Sequence, residues 1–351
     1  MKENLDKILF PTNKPPNFGE IYEISENIFW AKMPLPMILN HVNVYILNCS
    51  EGLTIIDTGI YTEECIFAWE KILKDHFFKK KINQIIITHH HPDHIGLAGW
   101  FAVRYDAKII SSRTSWLMAR MLTLDVQNRP DNEVIKFWKN GGMDKKLLNK
   151  KLKERPFNFS DSVFKIPIGF ESLNVGQSIQ INQENWKIEI GNGHAPEHLI
   201  IYNNERKIIF SGDQIIANIS SNLGVYATEP NLDTVGLWID SCKKFLKTFD
   251  DDFLVLPGHK LPFYGAKLRL NQLITHHDKI LKNIEEKLSS NQFSAVELFE
   301  TVFGRDIRES EYVLALGETI GHINYFKKRG LLSWTENEDE VLLYRMSKGL
   351  E

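Results

Sequence analysis

Four of the chain's 12 histidines fall within six residues, in the segment Thr88-His89-His90-His91-Pro92-Asp93-His94-Ile95-Gly96. The apolar run Ile85-Ile86-Ile87 stands directly before it. An unbroken β-branched run suits a strand buried on both faces. The histidines therefore belong to a loop at a strand's C-terminal end, where open α/β sheets place their chemistry. Imidazole nitrogens bind divalent first-row metals, and carboxylates suit zinc, manganese or iron. A short loop after a rigid strand can aim His89 and His91 at one ion and turn Asp93 and His94 toward a second, leaving His90 pointing away. One or two histidines would carry little weight, but the pattern recurs downstream. His194 and His198 lie in Gly-Asn-Gly-His-Ala-Pro-Glu-His after an expected strand at 186–190. Asp213 ends Phe-Ser-Gly-Asp after a strand at 208–210, and His259 ends Leu-Pro-Gly-His after one at 253–256. Three times a buried β-run gives way to a small residue and then a metal-binding side chain. Glycine at such a point lets the backbone turn sharply into a crowded site.

The rest of the chain sets the frame. Its 351 residues suit two or three domains of ~100–200 residues. Residues 1–17, with Pro11, Pro15 and Pro16, read as an irregular arm. A β-rich stretch follows, with Val42–Leu47 and Leu53–Ile56 around a Glu-Gly turn. Helical spacing at 62–77 precedes the strand at 85–87, and another helix is expected near His94. This order predicts an α/β sandwich of two sheets with outer helices, spanning 18–265. A helical insertion at about 113–165 interrupts it. From 266 to 351 the texture changes: a long helical run, a Ser294–Glu297 capping box, a helix at about 310–329 with Tyr312, Leu316, Ile320, Ile323 and Phe326 on one face, a helix-ending Gly330, and a hairpin around the acidic tip 336–340. Helices followed by a small hairpin is the layout of a winged helix.

At this point the motifs resemble those of the metallo-β-lactamase-fold hydrolase superfamily, in its glyoxalase II-like (hydroxyacylglutathione hydrolase-like) branch. The Thr88–His94 segment matches the metal motif, His194, Asp213 and His259 match the later ligands in order, and Asp57 in Ile-Ile-Asp-Thr-Gly matches a buttressing aspartate. The resemblance implies an αββα sandwich holding two divalent ions, zinc first and iron or manganese next. It assigns His89, His91 and His194 to one ion, Asp93, His94 and His259 to the other, and Asp213 to both. A hydroxide bridging the ions would attack a small thioester or ester, with Asp93 handling a proton and Asp57 and His198 as candidates to orient the ligands. A phosphodiesterase or endoribonuclease, or a lactonase, would use the same ions. A non-catalytic metal-bound scaffold is the reading from another class. By the same resemblance, His91 in place of Glu argues against flavodiiron chemistry, and the full ligand set against a mononuclear sulfur dioxygenase. Asp213 argues against a true β-lactamase. The 45 residues between Asp213 and His259 are too few for a nuclease-type inserted domain.

Charge and cysteine content narrow the partners. With 42 basic and 45 acidic side chains, a formal net of −3, the chain has no global basic field for nucleic acid. Residues 266–351 carry 12 basic and 14 acidic side chains, so the tail favours packing or dimerisation over DNA binding. Three cysteines supply neither a disulfide framework nor a thiolate metal site. No signal-peptide pattern and no run of 18 apolar residues is present, so a cytoplasmic location and no membrane partner are expected. A small-molecule substrate is the expected partner, and the oligomeric state stays open. The insertion is the expected specificity element. Its six basic residues between Lys145 and Arg155 suit either an anionic substrate or a solvated helix with Leu148 and Leu152 inward. Trp116, Met118 and Trp138 suit either a pocket lining or core packing.

Overall fold

The computed structural model describes residues 7–37 and 39–347. Residues 1–6 of the expected arm and 348–351 of the expected tail lie outside the described residues. The chain gathers into two compact units. One comprises the residues up to Val126, Phe157–Ser221 and Phe245–Leu270; the other comprises Gln127–Pro156, Asn222–Lys244 and the residues from Asn271 on.

The first unit contains two sheets. Strands β1 (Tyr22–Ser25), β2 (Ile28–Pro34), β3 (His41–Cys49), β4 (Gly52–Ile56), β5 (Ile82–Ile86), β6 (Lys108–Ser111) and β7 (Glu171–Ser172) lie side by side in chain order. So do β8 (Ser178–Ile181), β9 (Glu184–Gly191), β10 (His198–Asn203), β11 (Ile208–Gly212) and β12 (Leu254–Pro257) in the second sheet. From β1 to β4 the pairing is antiparallel; from β4 to β7 it is parallel, as it is between β11 and β12. Parallel neighbours need crossovers. Between β4 and β7 the crossovers include α1 (Glu63–His76), α2 (Pro92–Ile95), α3 (Ala98–Tyr105) and α4 (Arg113–Leu124).

Local chemistry explains these elements. The Thr62 hydroxyl accepts the Cys65 N–H and starts α1, with Glu63 and Glu64 at its positive end. Cys65, Ala68, Trp69 and Ile72 form its buried stripe. β3 is apolar on both faces because both are covered. Val42, Val44 and Ile46 pack with Trp69, Phe101 and Trp116 on the helix side. Tyr45 and Leu47 pack with Trp186, Ile201 and Phe210 between the sheets. Each such buried aliphatic side chain contributes roughly 1.5–3 kcal/mol. Trp116 stacks on Phe170 at 4.4 Å within this core. All three cysteines are buried thiols outside any disulfide.

The second unit carries α5 (Asn132–Asn140), α6 (Lys145–Lys151), α7 (Thr234–Phe245) up to Lys244, α8 (Ala266–Ser290) from Asn271 on, α9 (Phe299–Phe303), α10 (Tyr312–Lys328) and the hairpin β13 (Leu332–Glu336) with β14 (Leu342–Met346). Two expectations change here. α10 is buried almost all round from Ala315 to Asn324, not on one face. Chain 223–225 crosses it closely: a Cβ at Gly317 would lie 2.7 Å from the Val225 carbonyl oxygen. At the expected capping box the Ser294 N–H donates to the Glu297 carboxylate as expected, but the Ser294 hydroxyl donates to it too, each at 2.7 Å. A short 3₁₀ turn, Val296–Leu298, forms there before α9 begins. Gly330 does end α10: its N–H reaches the Lys327 carbonyl and the Leu331 N–H reaches Phe326, each at 3.1 Å, the two bonds of a Schellman cap. The basic run of the insertion faces acids of its own unit. Lys145 pairs with Asp339 at 2.6 Å, Lys139 with Glu340 at 2.9 Å, and Lys150 with Glu309. Leu148 is buried beneath, and so is Trp138. Among the described residues no helix is long and apolar enough to cross a membrane.

Candidate metal centre

The site is assembled at the C-terminal ends of first-unit strands. β4 ends at Ile56, and Asp57 turns out of it in the left-handed region at φ 58°. Its carboxylate accepts the Thr88 N–H and the Thr88 hydroxyl, each at 2.8 Å, and meets His94 Nδ1 at 2.7 Å. β5 feeds the histidine loop. Pro92 then opens the single turn α2, where a missing N–H costs nothing. The His91 carbonyl accepts the N–H groups of both His94 and Ile95 at 3.0 Å. That turn carries Asp93 and His94 round to a different side from His89 and His91. His194 and Asp213 follow β9 and β11, and His259 follows β12.

Three histidines have their Nδ1 held by a protein group. The Thr88 hydroxyl is already donating to Asp57, so it accepts from His89 Nδ1 at 3.0 Å. His94 Nδ1 faces Asp57, and His259 Nδ1 donates to the His41 carbonyl at 2.9 Å. Each bond fixes the ring and leaves Nε2 pointing inward, the arrangement that orients metal-binding histidines. His89 Nε2 then lies 3.0 Å from His91 Nδ1 and 3.3 Å from His194 Nε2. His259 Nε2 lies 3.2 Å from Asp93 and 3.4 Å from Asp213; His94 Nε2 lies 3.6 Å and 3.4 Å from the same pair. Asp213 also reaches His194 at 3.6 Å. Three donor groups result: His89, His91 and His194; Asp93, His94 and His259; and His89, His94 and Asp213 across them. Each spans no more than 4.8 Å.

These donors fit divalent cations. Among the described residues the buried His94 Nε2 and Asp213 Oδ1 have no hydrogen-bond partner, and ring nitrogens of His89, His91 and His194 face one another. Burial, then the neighbouring His94 cation, holds the His89 pKa well below normal; burial and His194 do the same to His91. Neutral imidazole is the ligand form. For His259, burial opposes protonation, yet Asp213 and Asp93 outweigh it and push the pKa up to about 10. His94 is raised likewise, with burial overcome by Asp93, Asp213 and Asp57. A cation binding there competes with protons for the His94 and His259 rings.

All seven expected ligands meet in this site. His198 stands behind it: its Nε2 accepts the Asp213 N–H at 3.1 Å and its ring stacks on His89 at 4.5 Å. His90 is buried against Phe159 and belongs to none of the donor groups. Two glycines make room. A Cβ at Gly258 would lie 2.3 Å from Asp213 Oδ1, and one at Gly212 (φ 46°) 2.7 Å from His198 and from Thr88.

Sequence reasoning missed the clamp on the His259 loop. Asn43 Nδ2 donates to the carbonyls of Pro257 at 2.9 Å and Lys260 at 2.8 Å. Trp30 Nε1 donates to Asn43 Oδ1, and the Tyr45 hydroxyl also donates to Pro257. The one available signal was a polar Asn43 amid the apolar run of β3.

A family model described as the metallo-beta-lactamase superfamily matches residues 38–259, and one described as a metallo-beta-lactamase-like C-terminal domain matches residues 281–347. Probable metallo-hydrolase YqjP of Bacillus subtilis (strain 168) is 23% identical over 308 residues, covering 86% of this chain and 92% of that one. The crystal structure of a beta-lactamase domain protein from Burkholderia ambifaria superposes with a TM-score of 0.89 at 27% identity, covering 97% of this chain and 98% of that one. A metallo-beta-lactamase family protein from Thermus thermophilus shares the fold, with a TM-score of 0.76 at 20% identity, covering 92% of this chain and all of that one.

Proposed function

This chain belongs to the metallo-beta-lactamase superfamily, and from that premise we propose that it is a dinuclear metal-dependent hydrolase of a small thioester or ester. One observation carries the reading: two three-residue donor groups lie side by side with the Asp213 carboxylate between them. His89, His91 and His194 would hold one ion, Asp93, His94 and His259 the other, and Asp213 both. Zinc suits the nitrogen-rich set best, with iron or manganese as alternatives. When bound, paired ions would supply an acidified water and a Lewis acid for the carbonyl.

The chain's own groups do the rest. Asp57, Thr88 and the His41 carbonyl keep the imidazoles aimed. Asp93, its side chain 18% exposed against 10% for Asp213, is the more open carboxylate. It is placed to take a proton from the attacking water and return it to the leaving thiol or alcohol. The acidic balance of the tail favours a small substrate over nucleic acid. Its helices and closing hairpin support a winged-helix-like module used for packing. A cytoplasmic location and residue 266 as the start of that module complete the proposal.

The test is a panel of S-lactoylglutathione, an acyl-homoserine lactone, a β-lactam, bis-p-nitrophenyl phosphate and a short RNA on metal-replete protein. Fastest turnover of the thioester, abolished in His91→Ala, is expected. Preference for either phosphodiester would overturn the thioester reading, and no turnover of any would favour a scaffold.

A further inference from the structure

The inner face of β2 and β3 changes character along its length. Facing pairs run Ile28–Leu47, Trp30–Tyr45, Lys32–Asn43 and Pro34–His41. Alternate residues share a face, so Lys32 and His41 continue the row that Trp30 and Tyr45 begin. The aromatic pair is buried between the sheets, whereas Lys32 and His41 are half-buried where the sandwich opens.

That end of the row is tied to the His259 loop. The His41 carbonyl accepts from His259 Nδ1, the Asn43 N–H donates to the Gly258 carbonyl at 2.6 Å, and Asn43 Nδ2 holds the Lys260 carbonyl. Lys260 follows His259 directly and keeps a left-handed backbone, φ 67°, which costs a non-glycine residue on the order of 1 kcal/mol. Lys32 faces Asn43 across the strand pair, and Asn43 holds the Lys260 carbonyl, so both lysines lie beside the same residue.

No carboxylate answers this charge. Among the described residues neither Lys32 nor Lys260 has an ion-pair partner, and Lys32 rests over the Phe18 ring. Lys139 and Lys145 of the insertion, by contrast, are paired with acids of their own unit. Partial burial without a partner lowers the Lys32 pKa. A cation desolvated in this way gains most from an anion that arrives with a ligand.

We propose that Lys32 and Lys260, with His41 beside them, form the subsite for an anionic substituent of the substrate, a carboxylate or phosphate group lying on the Asp93–His94–His259 side of the centre. This rests on the thioester or ester reading and narrows it to acid-bearing acyl compounds. Lysine acts here as a point charge, so the gain is in capture and orientation and falls with ionic strength.

Two S-phenyl thioesters of nearly equal shape test it: that of succinic acid and that of 4-methylpentanoic acid. The metal-loaded protein should favour the succinyl compound in kcat/KM by about tenfold or more at low salt. Lys32→Met and Lys260→Met should each cut that ratio several-fold and flatten its salt dependence. A second readout needs no turnover: calorimetric binding of succinate against 4-methylpentanoate to the same proteins, with metal content and circular dichroism checked for each variant. If neither thioester is hydrolysed yet succinate binds more tightly and both variants lose that advantage, the hydrolase reading fails and the subsite stands. An unchanged succinate preference in both variants would overturn the subsite.

Discussion

His89 Nε2 and His194 Nε2 lie 3.3 Å apart in the first unit, and His277 Nδ1 and His322 Nε2 lie 3.3 Å apart in the second. The second pair is buried and the first partly so, and they differ in what surrounds them. His322 Nδ1 donates to the Glu318 carbonyl of its own helix at 2.8 Å, so its Nε2 can accept from His277. One helix on each side supplies that pair, and His277 Nε2 is left without a hydrogen-bond partner among the described residues. In the first unit the histidines come from loops after several strands, and Asp93 and Asp213 come with them. The donor groups able to hold an ion among the described residues all lie there. Histidine crowding thus points to a metal only where strand ends also deliver carboxylates.

The sharpest way to break this comparison is to remove a group from each side. Asp213→Ala should lower activity more than about 100-fold, beyond the ~10–100-fold typical of outer partners. His277→Gln should leave metal content as it was. Equal metal loss in both, measured by elemental analysis, would erase the distinction. Gly258→Ala comes next. Its Cβ would press on Asp213 Oδ1 and on His94 Cε1, at 2.3 and 2.6 Å, so the ligands must shift. A displacement of that kind costs about 10²-fold in kcat, and unchanged kinetics would show that the loop yields freely. Asp57→Asn keeps a residue tolerant of φ 58° but removes the charge behind His94. Metal affinity should fall ~10–100-fold in a chelator competition; no change would mean that Asp57 does not orient the ring.

The smallest effect concerns the second unit. Burial holds His322 down to about 4, and holds His277 lower than normal with help from His322 and His276. The unfolded chain binds these protons at about 6.5. Stability from this source is therefore present above pH 6.5 and is lost as pH falls toward 4, by about 1.4 kcal/mol per unit for each group. His322→Gln should flatten the acid limb of a Tm–pH curve. An equally steep limb would move the acid sensitivity elsewhere.

How legible these regions were follows from how local their causes are. The metal loops could be read because each first ligand stands within a few residues of an apolar run, with a glycine beside it in three of the four loops. The Asn43 clamp could not, because its partner carbonyls lie more than 200 residues away and leave no local signature. Gly330 marked the end of α10 through a backbone preference. The burial of α10 on all sides depends instead on chain 223–225 crossing Gly317, which no periodicity in α10 reveals. The acidic hairpin tip and the basic insertion were each visible as charge runs. That they pair with one another, Asp339 with Lys145 across 194 residues, was not.

The central claim is a paired cationic centre bridged by Asp213. Metal analysis of the purified chain, run beside Asp213→Ala, tests it most directly. About two ions per chain, falling clearly in the variant, is the predicted result. One tightly held ion that Asp213→Ala leaves undisturbed would contradict it.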